Sequence, residues 1–398
     1  MKESLIVFAK EIKDSLRDRR TLVTAVLMPI FLMPVIMIGT FKMQEVQMKK
    51  SEAQIPKIAF NIQADAPMLV NFLKNDKKYV VVADQTSDSA KAMMEKGDLN
   101  VYLEVAPTFE KMVSQGNPAE VKVYHKSSIT DSVTAFQKVT IALQEFNQRT
   151  AVARLAQKNV PPAILTAILP TPVDFATAQE RGGYFIGFLL PMFIVLFAIV
   201  GGMYIAIDVS AGEKERKTLE ALLLTPASRF TIVTGKFLAV AATASTTIIL
   251  SLFSLYAAFK FFPPNFGTGG EFIISLTPKA ISIMLGVGVI MAIMFSGLLL
   301  SVAIFAKSYK EAQNYITPFY LLAILPVSIV SSIPGFKPTL PFFMIPGVNG
   351  VFVVKEVLLS QYDTTHILVT LGSLLVFAVI AIFIATKIYS REGVLFRD

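Results

Sequence analysis

Six stretches of this sequence, each longer than 20 residues, contain no Asp, Glu, Lys or Arg: Thr21–Phe41, Gly182–Ile207, Phe237–Phe259, Ala280–Ala306, Ala312–Phe336 and Thr364–Thr386. A helix needs about 20 apolar residues to cross the hydrocarbon core of a bilayer. Lipid offers no hydrogen bonds, so an uninterrupted apolar run of that length satisfies its backbone only as a helix. These runs therefore predict an α-helical integral membrane protein with six transmembrane helices. They also account for the composition, with 17% charged and 54% apolar residues among 398, where soluble domains run near 25% charged.

A seventh uncharged stretch, Pro338–Val354, is shorter and is broken by Pro341, Pro346, Gly347 and Gly350. It predicts a re-entrant or interfacial hairpin over residues 338–359, because Pro and Gly interrupt a continuous span. Thr21–Phe41 reads as a retained anchor rather than a signal peptide, since it contains Pro29 and Pro34 and no small-residue cleavage site follows it.

Orientation follows from the Lys and Arg count. With the N-terminus inside, segments 1–20, 208–236, 307–311 and 387–398 hold 16 basic residues, and the short outer loops hold four, Lys260, Lys279, Lys337 and Lys355. That bias predicts both termini in the cytoplasm of a multi-pass plasma-membrane protein. The net charge of +8 does not imply nucleic-acid binding: residues 42–181 carry 17 basic and 15 acidic residues, which nearly cancel, and the other cations flank spans.

Residues 42–181 are predicted to form an extracellular α/β domain between the first two spans. Short apolar runs at Lys57–Phe60, Tyr79–Ala83, Val101–Val105 and Val121–His125 read as strands. Pro67–Lys74, Ser87–Glu95 and Asp131–Gln157 read as helices, with Ser87 and Asp131 as N-caps. Pro161, Pro162, Pro170 and Pro172 mark the return to the membrane. There is no Cys, and the two His, His125 and His366, lie far apart. Thiolate sites are excluded, and neither a metal site nor a catalytic triad is expected.

Residues 1–20 predict an amphipathic helix in the headgroup layer. Leu5, Phe8, Ala9, Ile12 and Leu16 fall on one stripe, and Lys10, Lys13, Arg17 and Arg20 on another. A second amphipathic segment follows the second span, in the loop 208–236. There a charge cluster, Glu213-Lys214-Glu215-Arg216-Lys217, runs into Thr218-Leu219-Glu220-Ala221-Leu222-Leu223. Leu219, Leu222 and Leu223 share a helical face, so the segment is expected to dock on a partner or lie on headgroups. Gly235-Lys236 is followed by Phe and Leu, not Ser or Thr, so it is no phosphate loop. The six span interiors carry no carboxylate or basic residue for a proton relay.

The run Glu213–Pro226, followed by Gly235-Lys236, resembles the coupling motif of ABC-2 type transporter permeases, and the resemblance extends over nearly the whole chain. Lys10–Asp14 and Arg17–Thr21 are similar to the family's elbow helix, Ala306–Gln313 to its second inner loop, and Pro346–Gly350 to its turn before the last span. The large insert matches a subgroup that extrudes sodium. The resemblance implies a non-catalytic permease of an ATP-driven Na⁺ exporter. ATP and Mg²⁺ would then sit on a separate cytoplasmic ABC ATPase, with two copies of each chain and no cofactor on this one. It makes Glu213, Glu215, Arg216, Thr218, Leu219, Glu220, Leu222 and Leu223 the ATPase-coupling residues. Gly183 and Gly187 are a candidate contact between two copies. A Na⁺ path would use oxygen ligands, for which Thr246, Ser296, Asn314 and Thr317 are candidates beside Thr243, Ser245 and Thr247; hydroxyls that merely bond helix carbonyls are the alternative. Export of a peptide, antibiotic or lipid, and a membrane-anchored receptor or assembly factor acting through the outer domain, stay open as other readings.

Overall fold

The computed structural model describes residues 2–61, 65–75, 78–82, 84–165, 183, 186–262, 277–333 and 336–391. The chain divides into two compact units: residues 1–45 with 175–398, and residues 46–174.

The first unit is helical. It opens with α1 (Lys2–Ser15), then α2 (Arg19–Leu22), whose N-cap Asp18 accepts from the Arg20 and Thr21 amides, and after a π turn at Val23–Leu27 α3 (Met28–Ala53). Six helices among the described residues are long and apolar enough to cross a membrane: Arg19–Gln47, Leu189–Glu215, Arg229–Phe261, Pro278–Phe305, Tyr309–Ser332 and Thr364–Tyr389. The start of the second predicted span, through Gly182, and the tail 392–398 lie outside the described residues.

The smaller unit is built on a four-stranded sheet ordered β2-β1-β3-β4: β1 (Lys57–Phe60), β2 (Val80–Val81), β3 (Val101–Val105) and β4 (Val121–Tyr124). β1 is parallel to β2 and β3, and β4 is antiparallel to β3. Three helices join them, α4 (Pro67–Asn75), α5 (Ser87–Lys96) and α6 (Phe109–Ser114), and α7 (Thr130–Gln157) follows β4. Ile58, Phe60, Leu69, Leu73, Val101, Leu103 and Val139 form the core between sheet and helices. Two capping expectations are corrected. Thr86, not Ser87, caps α5 by accepting from the Ser89 amide. Asp131 lies in the first turn of α7 and accepts from Gln54, while Ile129 occupies the cap with no side-chain bond. His125 stacks on Phe136, with ring centroids 4.1 Å apart. Pro162 begins a 3₁₀ turn; Pro170 and Pro172 lie outside the described residues.

In the helical unit α8 (Leu189–Ile207) continues through a π turn, Asp208–Gly212, into α9 (Glu213–Glu215) and, after Lys217, α10 (Thr218–Leu223). α11 (Arg229–Phe261) starts at the N-cap Ser228. Segment 208–236, expected to carry one short amphipathic helix, is mostly helical, and Lys236 lies inside α11. α12 (Pro278–Phe305) starts at Thr277 with Pro278 in its first turn, where the missing N–H costs nothing. α13 (Tyr309–Ser332) starts at Ser308. After a 3₁₀ turn, Leu340–Met344, and the left-handed Gly347, α14 (Val348–Leu358) forms and α15 (Thr364–Tyr389) follows, capped by Asp363.

α8, α11 and α12 pack on one another and hold most of the buried core, with α15 laid along α12. Small residues allow the close crossings: a side chain at Gly201 or Gly288 would strike Thr247 or Ile248. Of the two glycines proposed as a contact between copies, Gly183 is used inside the chain. A β-carbon on Gly183 would overlap the Leu358 carbonyl.

Candidate functional site

The sequence places charge where α8 leaves its apolar run, and the structure folds that charge back onto the helices. Lys214 donates to the carbonyls of Ile304 and Ala306 at the end of α12. Glu215 accepts from the Tyr309 amide at 2.7 Å, at the start of α13. A cation thus meets a helix C-terminus and an anion a helix N-terminus, each matched to the local dipole. Arg216 reaches back over the π turn to Asp208 at 2.9 Å. Lys217 has φ 58°, the left-handed region, where a residue with a Cβ carries a steric penalty.

The deepest part of the site is a ring of four alternating charges. Lys236 is 1% exposed and Glu213 3% exposed. Lys236 Nζ lies 2.5 Å from Glu213 Oε2 and 3.5 Å from Glu11 Oε1, and donates to the Val209 carbonyl. Lys10 Nζ closes the ring, 2.7 Å from Glu213 Oε1 and 3.2 Å from Glu11 Oε1. Burial works against the Lys10 ammonium, but Glu213, with Glu11 behind it, outweighs burial and holds its pKa above the ordinary lysine value. The ring carries no net charge, which is what lets it stay buried. It ties α1, α9 and α11 into one mechanical unit.

Gly235 makes the ring geometrically feasible. A β-carbon there would sit 2.6 Å from Val7 Cβ and 2.8 Å from the Ser4 carbonyl, so only glycine lets α1 lie this close to α11. The buried face of α1 is consequently Val7, Glu11 and Ser15, not the apolar stripe. Leu5 and Leu16 are left 55% and 62% exposed. The four basic residues also part company: Lys10 joins the ring, whereas Lys13, Arg17 and Arg20 stay exposed.

The coupling residues divide in the same way. Leu219 is buried in the core of its own unit and Leu222 packs against it, so neither belongs to a free docking face. Glu213, expected to meet a partner, is consumed in the ring. Thr218 donates to the Glu213 carbonyl at 3.3 Å. Glu220 and Leu224 face outward, Leu224 at 88% exposure. The Leu223 side chain lies outside the described residues.

The candidate cation ligands are spread over three helices, Thr246 on α11, Ser296 on α12, and Asn314 and Thr317 on α13. Thr246 donates to Ala242, Ser296 to Ala292 and Thr317 to Gln313, each to the carbonyl four residues back in its own helix. Asn314 is exposed on α13. Thr247 bonds the Ala25 and Thr243 carbonyls. Among the described residues no hydrogen bond joins any two of Thr246, Ser296, Asn314 and Thr317, and no group of three or more His, Asp or Glu could hold a metal ion.

Sequence reasoning missed Glu11 and Lys236. The available signal was a lone Glu between Phe8 and Ile12, and a lone Lys one position before an apolar run. Such charges are expected to be paired or buried with a partner.

Six apolar helices, with a charged connector clamped onto the ends of two of them and tied to an amphipathic N-terminal helix, define a helical membrane protein. The chain belongs to the ABC-2 transporter family: the profile described as ABC-2 family transporter protein matches residues 19–387. It is 28% identical over 393 residues to the ABC transporter permease protein NatB of Bacillus subtilis (strain 168), covering 97% of each chain. It is accordingly a multi-pass membrane subunit of an ABC transporter, a family whose permeases serve as the membrane components and work with a cytoplasmic ABC ATPase.

Proposed function

We propose that this chain is the permease of an ATP-driven Na⁺ exporter, working with a separate NatA-like ATPase, two copies of each chain forming the transporter. The observation that supports it best is the likeness to NatB over 97% of both chains, which takes in the insert between the first two spans. Both termini face the cytoplasm and residues 46–174 lie outside, in keeping with the 16-to-4 basic bias. α1 is the elbow helix, its exposed Leu5 and Leu16 in the acyl boundary and Lys13, Arg17 and Arg20 among the headgroups. The 3₁₀ turn and α14 are the re-entrant hairpin. ATP, with Mg²⁺, is bound and hydrolysed on the partner. Closure of the ATPase pair presses on α10, and the charge ring passes that displacement to α1 and α11 together.

The flux experiment is direct. Proteoliposomes holding this chain and its ATPase should move ²²Na⁺ on addition of ATP, in the presence of a protonophore, and should stop when the partner's ATPase site is inactivated. Absence of ATP-dependent ²²Na⁺ movement would leave the second reading, export of a peptide, antibiotic or lipid. That reading draws on the candidate oxygen ligands, which bond their own helices rather than one another.

Topology is checked by single cysteines, since the chain has none of its own. In intact cells an impermeant maleimide should label a Cys placed at Lys91 and leave one at Lys217 unlabelled. The reverse pattern would invert the orientation.

A further inference from the structure

A cavity of about 790 Å³ opens where the end of α13, α14 and the first turn of α15 meet. That is the size of a small-molecule site. Phe188, Phe336, Phe352 and Leu359 supply an apolar wall, and Ser331, Lys355, Glu356 and His366 supply polar groups.

Two of those groups retain unused bonding capacity. Ser331 is 6% exposed, and its Oγ is buried with no hydrogen-bond partner. Lys355 Nζ donates to the Val330 and Ser331 carbonyls at 3.3 and 3.1 Å, which uses two of its three N–H groups. Among the described residues no carboxylate pairs with Lys355. The adjacent Glu356 turns to His366 instead, 2.9 Å from its Nδ1, and the imidazole stacks on Phe343. Burial lowers the Lys355 pKa with no anion to offset it. Burial likewise raises that of Glu356, with His366 acting against it.

Capping the last turn of α13 explains part of Lys355. It does not explain the rest. A helix C-terminus carries about half a negative charge, so Lys355 and Lys337 together outweigh it and the lining carboxylate Glu356 by only about half a charge. A cap also leaves the Ser331 hydroxyl without a role. Lys355 and the apolar wall line one space, and Ser331 stands beside them with its hydroxyl oxygen covered.

We infer that this cavity binds the oxyanion head of an amphiphile, a phosphate or carboxylate accepting a hydrogen bond from Lys355 Nζ and, once the Ser331 side chain turns toward the cavity, from its Oγ, while the apolar body lies along Phe336, Phe352 and Leu359. The head comes either from an anionic membrane lipid or from a soluble anion, and the site is independent of which cargo the transporter moves.

Native mass spectrometry of the full chain, released from neutral maltoside micelles, distinguishes these. The probes are phosphatidylglycerol, phosphatidylcholine with the same acyl chains, and inorganic phosphate. Phosphatidylglycerol should be retained, one per protomer, at least about tenfold better than phosphatidylcholine, whose choline cation offsets the same phosphate and is repelled by Lys355 and Lys337. Lys355→Met should cut that retention about tenfold and Ser331→Ala about threefold, because the hydroxyl gives a neutral bond. Lys355→Arg should keep most of it. Retention that survives millimolar phosphate assigns the site to lipid, and displacement by phosphate assigns it to soluble anions; both uphold an anion site. Equal retention of the two lipids, unaltered by Ser331→Ala in a chain that melts at the parent temperature and unaffected by phosphate, overturns it.

Discussion

Lys236→Met is expected to lower the stability of the helical unit by about 3–5 kcal/mol, because it leaves two buried carboxylates with one cation between them. Lys236 is held on three sides, by Glu213, Glu11 and the Val209 carbonyl. An ion pair at about 4 Å is worth roughly 4 kcal/mol at an effective dielectric near 20, and the pairs here are closer than that. Without the Lys236 ammonium, Lys10 alone faces Glu213 and Glu11, and it is half-buried rather than enclosed. The double variant Lys236→Met with Glu213→Gln restores the charge balance and should recover at least half of the loss. Far-UV circular dichroism melting in micelles reads both. A Lys236→Met chain that melts at the parent temperature would mean that the ring contributes nothing to the fold. The ring's value beyond stability is registration, since a satisfied set of four charges fits only one mutual position of α1, α9 and α11.

The second large effect separates folding from docking within a single turn of helix. Leu219→Ala should destabilise the unit by about 2–5 kcal/mol, the usual cost of emptying a buried leucine site, because Leu219 is 4% exposed. Leu224→Arg should change the melting temperature little, since an exposed position away from special features shifts stability by about 0.5 kcal/mol or less. It should instead reduce co-purification of the ATPase by about tenfold, a cost of about 1.4 kcal/mol at the interface. Glu220→Arg should act like Leu224→Arg, as both residues face outward four positions apart, about one helical turn. If Leu224→Arg and Glu220→Arg both leave ATPase association unchanged, α10 is not the docking element.

Both predictions rest on features that a local reading of the sequence treats differently. Leu219, Leu222 and Leu223 look like one docking face because they recur at helical spacing. Yet α10 is only six residues long, and the core of the same unit takes Leu219. For α1 the apolar stripe suggests the packing face, whereas a glycine on another helix selects Val7, Glu11 and Ser15 instead.

What the sequence by itself determined is whatever depends on neighbours a few residues away. Six charge-free runs dictate six membrane-length helices because hydrogen bonding in lipid must be satisfied within each segment. Lys57–Phe60 and Val101–Val105 are strands in the structure, as their short β-branched and apolar runs imply. The Glu213–Pro226 run, being continuous, carried the family. Only the tertiary structure decided the rest. The Lys10–Glu213 pair joins residues 203 positions apart and Lys236–Glu11 residues 225 apart, and no periodicity records such a meeting. The hydroxyls read as cation ligands went to carbonyls four residues back, since a helix in an apolar setting offers Ser and Thr that partner first. Charge that looked solvent-facing in a loop became buried because α11 begins at Arg229. Lys236 then points into the packing of three helices, where only paired charge is tolerated.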